Sequence, residues 1–163
     1  MGKSSVILHL YSFLPKTGYS IHDLDERGVP DKADKIWRQS EIQYWLELGK
    51  QNLSKNITTI ICGFAKPEEL NSISEDLGTP ISVIVLDADA NSLTERILGR
   101  YVSPESKIEL ERTTGKSPEK FIEDNIWVST KFREEAQRLQ YVTLDTTGLS
   151  SMEVANQIVS LIA

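Results

Sequence analysis

Two short stretches hold residue types at spacings that suit phosphate and proton chemistry. Gly2-Lys3-Ser4 stands directly before the apolar run Ser5–Leu14. A helix starting here would present unpaired amide hydrogens and a partial positive charge to an anion. The order matches the end of the phosphate-cradling pattern G-x-x-x-x-G-K-[ST]. Gly2 would let the backbone approach closely and Lys3 would reach β- and γ-phosphates. The Ser4 hydroxyl would ligate magnesium, with Ser5 beside it on the nucleotide side. The competing reading is a chance tripeptide.

The second stretch is Asp23-Leu24-Asp25, at the end of a short extended segment, Tyr19–His22. Alternation along an extended chain puts both carboxylates on one face. One of the two could hold magnesium, Asp23 being the metal candidate, and the other could accept the proton of a substrate hydroxyl, so both are candidate catalytic residues. A solvated acidic turn is the alternative. Glu26 reads as a turn or cap residue, and His22 as either substrate-facing or structural.

Further candidates are spread along the chain. Arg96 and Arg100 are four apart in an expected helix, so they would share a face and could clamp a transferring phosphoryl group; a solvated basic face is the alternative. Arg112 and Lys116 fall in a polar stretch, Ser103–Lys116, expected to be mobile and lid-like within residues 101–118. Arg38, beside Trp37, could grip an acidic or phosphorylated substrate or simply pack. Gly63 follows a strand and is assigned to the substrate side. Asp87 and Asp89 follow the next strand. Asp145-Thr146-Thr147 follows the last and could line an adenine pocket. Cys62 is the only cysteine, which rules out an internal disulfide; it reads as a small core residue.

Alternating elements must position these groups. Apolar runs predict helices over Ser5–Leu14, Ile36–Leu53, Pro67–Leu77, Ser92–Tyr101 and Pro118–Leu139, and a closing helix through Ile162 capped by Ser150 or Ser151. Asp34 is the expected cap of the second of these, and Asn91 of the fourth. Strands are expected at Tyr19–His22, Thr58–Cys62, Ile81–Leu86 and Tyr141–Leu144. The two strongest strands are continuous apolar runs, the pattern of a parallel sheet with helices on both faces. Ligands of such sheets bind beyond the carboxyl ends of the strands, where the Asp, Gly and Thr candidates fall.

At 163 residues the chain is expected to form one domain. A formal charge of -6 argues against a nucleic-acid partner. No apolar run has the ~18–20 residues of a membrane span, so a cytoplasmic protein is expected.

The order GKSS, HDLDE, VIVLDAD, ERILGR and YVTLDTTGLSSMEVANQI resembles the small-molecule and nucleoside-type kinases of the P-loop superfamily, the group of adenylate, shikimate and gluconate kinases. HDLDERGVP followed by KIWRQSEIQYWL is similar to bacterial proteins labelled as P-loop or AAA-type ATPases. The resemblance implies a three-layer α/β sandwich and magnesium-dependent transfer from ATP to a small-molecule acceptor. It implies Lys3 and Ser4 at the phosphates, and Asp23 or Asp25 at substrate or metal. It implies the Arg96–Arg100 region near the lid and Asp145–Thr147 at the base. An acceptor-independent ATPase and a non-enzymatic nucleotide-binding module are the other readings. The pattern's first glycine and the strand before it would lie upstream of Met1. The family's central strand would then be missing, leaving a sheet that is either gapped or closed by pairing Thr58–Cys62 with Ile81–Leu86. A chain of this length is accordingly expected to be poorly soluble, weakly folded or inactive.

Overall fold

The computed structural model describes residues 3–31 and 33–162, apart from the side chains of Lys3 and Ser4. The described elements are α1 (Lys3–Phe13), β1 (Tyr19–Asp23), α2 (Lys35–Leu53), β2 (Thr58–Cys62), α3 (Pro67–Leu77), β3 (Ile84–Asp87), α4 (Ala90–Leu98), α5 (Pro104–Thr114), α6 (Pro118–Arg138), β4 (Val142–Asp145) and α7 (Ser151–Ile162). The fold is mixed α/β, and both strand pairings are parallel. No described helix is long and apolar enough to cross a membrane.

Local chemistry sets the boundaries. The Asp34 side chain accepts from the Trp37 amide and caps α2, as expected. Asp89, not Asn91, caps α4 by accepting from the Ser92 amide at 2.7 Å. The stretch expected as a mobile lid, in which no helix was expected, contains α5. Ser103 caps it, Pro104 sits in its first turn, Gly115 closes it at φ +67°, and Leu110 is buried. Ser103 and Pro104 together form a helix start, a signal that outweighs the polarity of the segment.

The four strands form two two-stranded sheets, β1 with β2 and β3 with β4. Of the two expected arrangements, direct pairing of β2 with β3 does not occur among the described residues. Strand β3 is also shorter than expected, because Ile81–Val83 lies outside it.

Two compact units carry these sheets. One spans Ile84–Gly148, and the other comprises the described residues before and after it. In the β1–β2 unit, Tyr19 to Asp23 pair in order with Thr58 to Cys62. Helix α1 packs on both strands and on α7, burying Val6, Ile7 and Leu10 of α1 and Val154, Ala155 and Ile158 of α7. A second cluster, Leu24, Ile42, Trp45 and Leu46, is joined by Ile61, Leu70 and Ile73. In the β3–β4 unit, Ile84 to Asp87 pair with Val142 to Asp145, and α6 packs on both strands, α4 and α5.

Candidate functional site

In the β1–β2 unit the Asp-Leu-Asp tripeptide begins on the last residue of β1 and turns away from the sheet. The Leu24 amide donates to the Cys62 carbonyl at 2.8 Å, the last bond between the strands. The chain then reverses. The Asp25 amide donates to Asp23 Oδ1 at 3.1 Å, the Glu26 amide to the Asp23 carbonyl at 3.1 Å, and the Gly28 amide to the Asp25 carbonyl at 3.0 Å. Gly28 adopts φ +102°, open to glycine and strained for other residues. Asp23 Oδ1 is thus committed to its own turn, whereas the exposed Asp25 carboxylate has no partner among the described residues. An unpartnered carboxylate in water is a competent proton acceptor. Sequence alone treated the two aspartates alike; the turn makes them unequal.

Leu24, between them, is the pin. It is buried, and its carbonyl accepts from Trp45 Nε1 of α2 at 3.1 Å. Gly63, assigned to the substrate side, has a packing role: a Cβ there would lie 2.2 Å from Leu24 Cβ and 3.0 Å from Leu24 Cδ2. Gly63→Ala is therefore expected to displace Leu24. Overpacking of this kind costs about 1–3 kcal/mol. Chemical denaturation followed by tryptophan fluorescence checks it; an unchanged midpoint would remove the packing role.

One edge of the Arg38 guanidinium is taken by a carboxylate. Its Nε and Nη2 donate to Glu69 Oε2 and Oε1, both at 2.9 Å, and its Cζ lies 5.9 Å from the Phe64 ring centroid. The side chains are 16% and 10% exposed. The Glu69 bond holds the Arg38 guanidinium above its ordinary range, and the same bond holds the Glu69 carboxyl below its own. The pair fastens the start of α2 to the start of α3. Nothing in the local sequence pairs residues 31 positions apart, so the partner was not legible.

The β3–β4 unit holds a second polar network at the carboxyl ends of its strands. Asp87, the last residue of β3, receives Arg133 Nε at 2.5 Å, Arg133 Nη2 at 2.9 Å and the Ser129 hydroxyl at 2.9 Å, all from α6. Ser129 and Arg133 are four apart on one helix face, a signal available in the sequence but not used. Burial pushes the Asp87 carboxyl up, but the Arg133 and Ser129 bonds outweigh it and hold the group below its ordinary value of 3.8. A depressed carboxyl stabilises the fold above its unfolded pKa and loses that contribution as pH falls through the folded value. Arg133→Met is therefore expected to be less stable than the parent at neutral pH, by a gap that narrows as pH falls through the folded Asp87 value, as followed by Trp127 fluorescence with Trp37 and Trp45 replaced by Phe.

Arg96 and the Asp145–Thr147 turn belong to the same network. The Thr146 amide and hydroxyl donate to the Asp87 carbonyl at 2.8 and 2.7 Å. Arg96 Nη1 donates to Thr146 Oγ1 at 2.9 Å, and Nη2 donates to the Thr146 carbonyl. Thr147 Oγ1 accepts from the Asp89 amide at 3.0 Å, and Asp145 Oδ1 accepts from the Thr147 amide at 2.9 Å. Thr146 is buried with its hydroxyl and carbonyl turned onto protein, so it presents less to a nucleotide base than the sequence suggested. The shared helix face expected for Arg96 and Arg100 is absent: α4 stops at Leu98, and Arg100 is exposed in the turn beyond it. Arg112 pairs with Glu109 and Lys116 with Asp124, both at the surface. Gly2 lies outside the described residues. Lys3 opens α1, Ser4 follows, and Ser5 is exposed in the first turn.

Among solved structures, the chain is similar to the Deinococcus radiodurans tunicamycin resistance protein. The TM-score is 0.61 at 20% sequence identity, over 99% of this chain and 89% of that one. At that identity the likeness is one of α/β fold. No protein-family model matches the chain, and no curated protein matches it.

Proposed function

We propose that this protein is a magnesium-dependent phosphotransferase of the P-loop kinase type, moving the γ-phosphoryl group of ATP to a small-molecule hydroxyl. One observation carries the reading. The Asp25 carboxylate, without a partner among the described residues, stands just past the carboxyl end of a parallel strand, in the same unit whose first helix starts at Lys3. Lys3 and Ser4 would hold the phosphates and the metal, with Asp23 toward magnesium. Phosphoryl transfer asks a protein mainly for positioning and charge stabilisation. As the acceptor oxygen bonds the γ-phosphorus, its proton passes to Asp25, the bridging bond breaks and ADP leaves. A cytoplasmic location and a single-domain organisation go with this reading.

ATP consumption by the full chain, measured with magnesium across a panel of hydroxyl-bearing acceptors, tests it. Tunicamycin belongs in the panel because a protein of similar fold is named for resistance to it. Turnover that requires an acceptor supports the kinase. Turnover without one means an ATPase, and ATP binding without turnover means a nucleotide-binding module.

A further inference from the structure

His22 is embedded in a hydrogen-bonded chain of its own. Its Nδ1 lies 2.7 Å from Glu26 Oε1 and its Nε2 2.6 Å from Ser20 Oγ. A carboxylate only accepts, so Nδ1 carries a proton, and in the neutral ring the Ser20 hydroxyl donates to Nε2. Ser20 and His22 are two apart on β1 and therefore share a face. The ring stacks on Trp45, with centroids 4.5 Å apart and planes at 29°.

Both neighbours of the ring hold the Asp23–Asp25 turn. Successive amides of an extended strand point to opposite edges. The Leu24 amide bonds to β2, so the Asp23 amide points away from the sheet, and Glu26 Oε2 accepts from it at 3.1 Å. On the other side, Trp45 Nε1 donates to the Leu24 carbonyl at 3.1 Å. One imidazole thus fixes the carboxylate that closes the turn and lies against the indole that pins its centre.

We propose that His22 is the positioning residue of the Asp23–Asp25 pair, acting through Glu26 and Trp45, with Ser20 fixing its tautomer. The role of the turn in phosphoryl transfer rests on the function proposed above; the latch itself does not. Misplacement of a reacting group by about 1 Å can cost on the order of 100-fold in rate, so a turn carrying a proton acceptor gains from being locked.

The test uses the full chain with His22→Ala, His22→Gln and Glu26→Ala. Glutamine can bond Ser20 or Glu26 but cannot reproduce the ring's bridge between them. The first readout is amide hydrogen exchange. The Asp23 amide is expected to exchange at least about tenfold faster in each variant, while the Ile60 amide in β2 keeps its protection. Equal loss at both positions would mean general destabilisation, and no change at Asp23 would mean no latch; either overturns the proposal. The second readout is the nitrogen NMR spectrum of His22 in the parent chain, where a proton on Nε2 alone also overturns it. The third is kinetic: with a working acceptor, His22→Gln is expected to lower kcat about tenfold or more at nearly constant KM for ATP, and an unchanged kcat overturns the proposal. If the parent shows no turnover with any acceptor, the phosphotransferase reading fails while exchange and NMR still decide the latch.

Discussion

Asp25→Asn is expected to lower acceptor-dependent phosphoryl transfer about 10²–10⁴-fold, the usual contribution of a general base, at little change in KM for ATP. The substitution keeps the shape and removes only the basicity. The fold should not notice it. The Asp25 carboxylate has no partner among the described residues, and its backbone bonds to Asp23 Oδ1 and from the Gly28 amide remain. Asp23→Asn is the informative companion. Its amide oxygen can still accept from the Asp25 amide, so the turn survives while a negative charge is lost near the expected metal position. That variant should need more magnesium for half-maximal rate. Steady-state kinetics with magnesium varied, beside the far-ultraviolet circular dichroism of each variant, separates these effects. Asp25→Asn turning over at the parent rate would end its assignment as the base.

The largest stability effect is expected at Arg38 and Glu69. The pair is bidentate, and both side chains are mostly shielded from water. Removing one partner strands the other's charge, which in buried pairs costs about 3–5 kcal/mol; the residual exposure places this pair near the lower end, about 3 kcal/mol. For a chain of this size that is a fall in Tm of roughly 6–12 °C. Glu69→Ala should show it, and so should Arg38→Ala. The double replacement Arg38→Met with Glu69→Leu should recover much of the loss, because it leaves no buried charge behind. With Trp127 replaced by Phe, the remaining two of the three tryptophans, Trp37 and Trp45, lie in the β1–β2 unit and report on it alone. Arg38 holds the Glu69 carboxyl below its ordinary 4.5, so the contribution is present above that value and lost as pH falls through the folded one. If Arg38→Ala instead left stability intact and raised the acceptor KM, the residue would belong to substrate after all.

Most elements were legible because local signals agreed. The Pro67–Leu77 helix and the Thr58–Cys62 strand fall where proline, glycine and β-branched residues put them. Helix α5 was missed because its core-facing side reduces to Leu110, too little for an amphipathic pattern to stand out. The cap of α4 was misplaced because both Asp89 and Asn91 suit that role, and the position where the chain leaves β3 chooses between them. Ile81–Val83 is apolar enough for a strand, but β4 offers register partners only from Ile84 onward.

The sequence by itself determined the alternating α/β order, the parallel strands and the positions of its acidic residues at strand ends. Those follow from periodicity, β-branching and turn residues, all of which act over a few neighbours. Which of the two turn aspartates is left without a partner among the described residues was decided only by the tertiary structure. Asp23 bonds into its turn, Glu69 meets Arg38 across 31 residues, and Asp87 meets Arg133 across 46. Asp25 keeps its carboxylate in water because Leu24 beside it is buried, held by Trp45 and given room by a residue without a Cβ, Gly63. Hydrogen bonds and ion pairs are short-range in space, not in sequence. The candidate residues could therefore be named in advance, but which of the two turn aspartates would be left open among the described residues could not.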